Sequence, residues 1–175
     1  MMAAPKILVI GGGPAGLGAA IEARLSGADV AVVEKRDVYT RQNTLFLYTS
    51  TLELLERWGV HVPLMQELYF QGERRGYVLI KDLENALSQK LADLGVVQMR
   101  GECHRVQGQQ AWIQTSEGEL RIPYDLLVAA DGAHSHLREQ LGIPSIHYGE
   151  ALAGVVMIPA VHKEGLISVQ ILNHP

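Results

Sequence analysis

A run of glycines set between an apolar strand and a helix of small residues constrains this chain more than any other feature. Lys6-Ile-Leu-Val-Ile10 is short, apolar and β-branched, the pattern of a strand buried on both faces of a parallel sheet. It runs into Gly11-Gly-Gly-Pro-Ala-Gly16. Residues 17–25 continue as a helix rich in Ala and Gly, which closes at Gly27. Asp29-Val-Ala-Val-Val-Glu34 is a second buried strand and ends in an acid. Strand, glycine turn, helix, strand and acid in this order predict a βαβ unit, and therefore an α/β fold around a parallel sheet.

The spacing of Gly11, Gly13 and Gly16 is the G-x-G-x-x-G pattern in the context that gives it meaning. Gly11 permits the tight turn. Gly13 lets a pyrophosphate approach the backbone with no Cβ in the way, and Gly16 lets the helix pack close to the strand. Free N–H groups at the helix start face such a ligand, and the helix dipole favours its charge. Glu34 stands 21 residues beyond Gly13, where its carboxylate can accept hydrogen bonds from a ribose diol and would repel a 2′-phosphate. The pattern predicts a bound dinucleotide without choosing between NAD and FAD. Turn geometry alone is the other reading of the glycines.

Composition removes several classes. A chain of 175 residues corresponds to about one domain. With 15 Lys and Arg against 19 Asp and Glu, the net charge of −4 gives no reason to expect a nucleic-acid partner. Cys103 is the single cysteine, which excludes a disulfide framework, a Cys-rich zinc site and the paired cysteines of a disulfide reductase within this chain. His134-x-His136 has no third ligand at useful spacing, so no metal is expected. No apolar run approaches the roughly 20 residues of a membrane span. The N-terminus lacks the charged region and cleavage site of a secretory signal, so the expected compartment is the cytoplasm.

Two further segments carry a resemblance. Lys35-Arg36-Asp37 and Arg41-Gln-Asn43 follow the acid. Much later comes Tyr124-Asp-Leu-Leu-Val-Ala-Ala-Asp-Gly-Ala-His-Ser-His-Leu-Arg138. This last stretch resembles the Asp-Gly segment of the group A FAD-dependent monooxygenases, the aromatic hydroxylases, with Ser135 and Arg138 at that family's offsets. Val33-Glu-Lys-Arg-Asp37, Arg41, Asn43 and Ile80-Lys-Asp-Leu83 look most like the MICAL-type monooxygenase domain, although Lys81 stands where an arginine is common there. The resemblance covers roughly residues 5–145.

The resemblance implies a Rossmann-like FAD-binding domain with a parallel sheet and a small antiparallel sheet, plus the start of a substrate-domain sheet. It implies FAD as bound cofactor, NAD(P)H as transient electron donor, and a small-molecule substrate that receives one atom of O₂. Gly11, Gly13, Pro14, Ala15 and Gly16 would hold the pyrophosphate. Glu34, within the Glu34-Lys35-Arg36 run, would bind the adenosine ribose, and Arg36 would lie against the adenine side. Arg41 would approach the pyrophosphate or ribityl region and Asn43 the isoalloxazine ring. Asp131, with Gly132, would meet the ribityl or pyrophosphate portion, and backbone near Cys103 would border the adenine. No catalytic residue is implied. The residues leave other roles open: Arg36 and Arg41 also read as solvated loop charges, Asn43 as a cap, and Asp131-Gly132 as a plain turn. An FAD oxidoreductase that inserts no oxygen, or a non-catalytic dinucleotide-binding module, are the alternative functions.

The remaining sequence supplies organisation. Residues 51–58 and 82–94 predict amphipathic helices, the second with Leu83, Leu87, Leu91 and Leu94 on one face. Residues 96–99, 103–106, 111–115 and 120–122 read as short strands of the small antiparallel sheet. Glu67-Leu-Tyr-Phe-Gln-Gly72 is one residue short of a viral protease recognition site and carries no functional reading. Residues 1–149 are expected to form the FAD-binding domain, with an inserted segment around 60–80, and 150–175 to begin a substrate domain. The chain therefore reads as the N-terminal portion of a larger enzyme. Apolar strands expected at 151–160 and 166–172 would lack partners and favour self-association.

Overall fold

The computed structural model describes residues 3–146. The chain divides into two units, Met1–Ile143 and Pro144–Pro175, and every element described belongs to the first. In chain order these are β1 (Lys6–Ile10), α1 (Pro14–Leu25), β2 (Asp29–Glu34), β3 (Thr44–Leu47) and α2 (Thr49–Trp58). Then follow β4 (Gln66–Phe70), β5 (Glu73–Leu79), α3 (Ile80–Asp93), β6 (Val97–Arg100) and β7 (Glu102–Gln107). The series ends with β8 (Gln110–Thr115), β9 (Gly118–Pro123), β10 (Leu126–Ala129) and α4 (His136–Gln140). The strands expected at 151–160 and 166–172 lie outside the described residues.

The fold is α/β, with one parallel sheet and two small antiparallel sheets. The parallel sheet has strand order β10-β1-β2-β6. Ile10 pairs with Ala129 on one side and Val33 on the other, so β1, β2 and β10 all end along the same edge. Strand alternation then sorts the core into two layers. Val9 and Val32 face a cluster with Leu17 and Ile21 of α1 and Leu87 and Leu91 of α3. Leu8, Ile10 and Val33 face Ala111 and Ile113 of β8 and Leu137 of α4. Each such Val, Leu or Ile side chain contributes roughly 1.5–3 kcal/mol through the apolar area it removes from water.

Helix α1 begins at Pro14, three residues ahead of the predicted start, because proline's fixed φ suits the first helical position and its missing N–H costs nothing there. One strand assignment needs correction. Residues 96–99 do not join the small antiparallel sheet. The segment forms β6, which returns from α3 and pairs parallel with β2 from Ala31↔Val97 to Glu34↔Arg100. The antiparallel sheet covering that face is β7-β8-β9 alone. A third sheet, β3-β5-β4, spans the region of the expected insertion and was not resolved into strands from sequence. Its hairpin turn is Gln71-Gly72, both at positive φ, so the protease-like hexapeptide is the end of β4 and the turn into β5.

Candidate functional site

Where β1, β2 and β10 end, a cleft of about 530 Å³ opens, within the size range of small-ligand sites. Its position at the carboxyl ends of parallel strands, beside the strand where the winding reverses, is the place an open α/β sheet offers a ligand. Gly11, Gly13, Pro14, Ala15, Glu34, Lys35, Arg36, Arg41, Cys103, Asp131 and Gly132 all line it. Of the residues expected at a cofactor site, Gly16 and Asn43 do not.

The three motif glycines divide by what a side chain would meet. At Gly11, φ is +108°, and a Cβ would lie 2.1 Å from the Ala130 carbonyl oxygen. At Gly16 it would lie 1.9 Å from the Gly11 carbonyl oxygen. These two glycines are fixed by backbone contact. At Gly13 the nearest atom outside its chain neighbours is Arg41 Nη2, at 3.9 Å, and the backbone is extended. Gly13 therefore presents bare backbone to open space, and a Cβ would occupy that space.

Helix α1 starts at this open face. No side chain caps it, and its first turn holds no acid. Pro14 has no N–H to satisfy, and Leu17 N already donates to Gly13 O at 2.9 Å. The N–H groups of Ala15 and Gly16 are left at the positive end of the helix dipole, a setting that suits an anion. The arrangement fits a dinucleotide pyrophosphate: bare backbone, donors and an arginine meet there.

Glu34 closes the adjacent side. Its Oε2 accepts from Gly12 N at 2.6 Å and Arg36 Nη2 at 3.0 Å. Its Oε1 accepts from Arg36 N at 2.8 Å and Arg36 Nε at 3.1 Å. Burial pushes its pKa up, but the bonds from Arg36 and Gly12 outweigh burial and hold the carboxyl below its usual range. Arg36 lies over the Tyr39 ring, 5.1 Å from its centroid. Lys35 pairs with Glu102 across exposed surface at 3.1 Å. Neither arginine of the pair Arg36 and Arg41 is a free solvated charge, because both bond Glu84.

Asp131 behaves differently. Its Oδ1 accepts from Ser135 Oγ at 2.5 Å and its Oδ2 from Leu137 N at 3.2 Å, while Ser135 Oγ accepts from Arg138 N at 3.0 Å. It lines the cleft and also closes the start of α4. Asn43 stands off the cleft wall; its carbonyl accepts from Ile80 N at 2.8 Å and so ends the orphaned N-terminus of α3. Cys103 is buried on β7, and burial pushes its thiol pKa up.

Glu84 was not expected from sequence. It is completely buried on α3 and accepts from Arg36 and Arg41. The signal was present: Ile80, Glu84, Leu87 and Leu91 follow helical spacing, which places a carboxylate on the buried stripe. Among the described residues no helix is long and apolar enough to cross a membrane, and no group of His, Cys, Asp and Glu could hold a metal.

Residues 5–138 match the pyridine nucleotide-disulphide oxidoreductase family. The chain belongs to that family. Its lone Cys103 gives these 175 residues no cysteine pair, so membership here speaks for the nucleotide-binding fold rather than dithiol chemistry. Among curated proteins, the [F-actin]-monooxygenase mical2b of Danio rerio is 31% identical over 147 residues, 75% of this chain and 8% of the relative. The chain thus spans under a tenth of that relative's length. Among solved structures, the tetrameric form of 2-methyl-3-hydroxypyridine-5-carboxylic acid oxygenase aligns with TM-score 0.65 and 26% identity, covering 81% of this chain and 43% of that one. The Diels-Alderase PyrE3 of pyrroindomycin biosynthesis aligns with TM-score 0.63 and 26% identity, over 81% and 35%. Family, relatives and fold are those of FAD-dependent monooxygenase-like proteins.

Proposed function

We propose that the chain is the FAD-binding part of a flavoprotein monooxygenase. One observation carries this reading: the uncapped start of α1 and the bare backbone of Gly13 face open space beneath Arg41, beside the ribose-seeking carboxylate of Glu34. The N–H groups of Ala15 and Gly16, with Arg41, bind the pyrophosphate. Glu34 takes the adenosine ribose, and the wall at Cys103 excludes water from the adenine side. Bound there, FAD supplies two-electron redox chemistry at its ring. Within this proposal NAD(P)H is the transient donor, O₂ the acceptor, and a small molecule the substrate in the cytoplasm. Asn43 and Asp131 with Gly132 take the ring and ribityl side. Residues 1–149 form the FAD domain and 150–175 begin a substrate domain, with self-association through 151–172.

The test is to soak the purified chain with FAD, desalt it and record the visible spectrum. Flavin absorbance that stays with wild type and is lost in Gly13→Val supports the reading. Flavin lost from both, or retained by both, overturns it.

The likeness to PyrE3, a Diels-Alderase by name, favours a second reading in which the cofactor serves a reaction that inserts no oxygen. Oxygen uptake by the loaded protein with NAD(P)H, coupled to an oxygenated product, separates the two.

A further inference from the structure

Glu34 cannot receive a ribose diol as it stands. An ionised carboxylate offers about four lone-pair sites, and Gly12 N with three Arg36 donors already uses them. Two of the four are guanidinium donors, Nε on Oε1 and Nη2 on Oε2, so the Arg36 guanidinium must leave before a hydroxyl can enter, while its backbone N–H stays. A second carboxylate lies within its reach: Arg36 Nη1 and Nη2 are each 3.3 Å from Glu84 Oε1. That oxygen also bonds Arg41, while the buried Oε2 of Glu84 has no hydrogen-bond partner among the described residues. One oxygen is crowded and the other is empty.

We propose that Glu84 is a positioning residue that receives Arg36 on its vacant oxygen when a ribose diol takes Glu34, so that ribose recognition depends on a guanidinium passing between two carboxylates. This rests on the reading of the cleft as a dinucleotide site. It makes Glu84 a determinant of selectivity for the ribose hydroxyls without its touching the ligand. The buried carboxylate disfavours being left with an unpaired oxygen, which offsets the loss of the Arg36–Glu34 bonds.

Calorimetric titration of the 175-residue chain with ADP and with 2′,3′-dideoxy-ADP tests this. Wild type is expected to prefer ADP by about tenfold, the scale of a charge-assisted hydrogen bond. In Glu84→Gln the preference falls below about twofold, because Arg36 stays on Glu34. In Arg36→Ala it rises above the wild-type ratio, since nothing has to move. The ratio isolates the ribose: any loss of Arg41 placement falls on phosphates that both ligands share. A wild-type ratio retained in Glu84→Gln, or no rise in Arg36→Ala, overturns the proposal and leaves the dinucleotide site standing. No ADP binding by wild type overturns both. Should Glu84→Gln fail to fold, Glu84→Asp, which keeps the charge but draws its oxygens back from Arg36, is read by the same ratio and with the same outcomes.

Discussion

Two turns lie side by side at the end of the parallel sheet, one after β1 and one after β10, and they treat their polar groups in opposite ways. The turn after β10 is satisfied by its own chain: Ser135 and the Leu137 N–H occupy Asp131, and Ser135 caps α4. The turn after β1 leaves its helix start without a side-chain cap and its middle glycine bare. The turns touch, because Gly11 sits against the Ala130 carbonyl. One therefore serves as the rigid wall for the other. A strand-to-helix turn that finishes its own hydrogen bonds holds its shape unaided; one that leaves donors open at the same sheet edge offers them to an anion.

Substitutions at the glycines give the largest break in this comparison. Gly11→Ala and Gly16→Ala drive a Cβ into a carbonyl oxygen, and each is expected to cost roughly 3 kcal/mol or more in urea unfolding. Gly13→Ala makes the same chemical change in extended backbone with open space around it. Its stability should stay within about 0.5 kcal/mol of wild type, while FAD affinity falls about tenfold in fluorescence titration. Equal destabilisation at all three glycines would sink the distinction.

On the other turn, Ser135→Ala removes a cap and is expected to cost about 1 kcal/mol by thermal unfolding, with ADP affinity unchanged. The smallest effect is in pH. Glu34 has a folded pKa below its ordinary 4.5, so its contribution to stability is complete above that value and is lost as pH falls through the lower folded one. The stability gap between wild type and Glu34→Gln should be constant above pH 4.5 and shrink below it. A gap that widens on acidification would contradict the geometry around Arg36.

Much of this was legible in the sequence where pattern and function coincide. The glycine spacing, two apolar β-branched runs and the acid at Glu34 located β1, α1, β2 and the sheet end where the cleft opens, because backbone contact at Gly11 and Gly16 leaves no room for a side chain. The strand of residues 97–100 was placed in the wrong sheet: four residues do not reveal whether their partner is parallel or antiparallel, and only the return from α3 settles that. The β3-β5-β4 sheet escaped because β3 is only four residues long, β4 and β5 mix charged and aromatic residues, and the turn uses Gln71 at positive φ where glycine or asparagine would have signalled a hairpin. Glu84 lies on the buried stripe by its spacing, but the two arginines that meet it stand more than forty residues away in sequence, and the stripe does not reveal them.

The single thiol of Cys103 has a practical consequence. These 175 residues hold no second cysteine, burial pushes its pKa up, and it forms part of the cleft wall. Alkylating reagents attack the thiolate. These 175 residues are therefore expected to carry one slow labelling site whose rate falls when a ligand fills the cleft, and mass spectrometry of maleimide uptake would follow occupancy without an engineered probe.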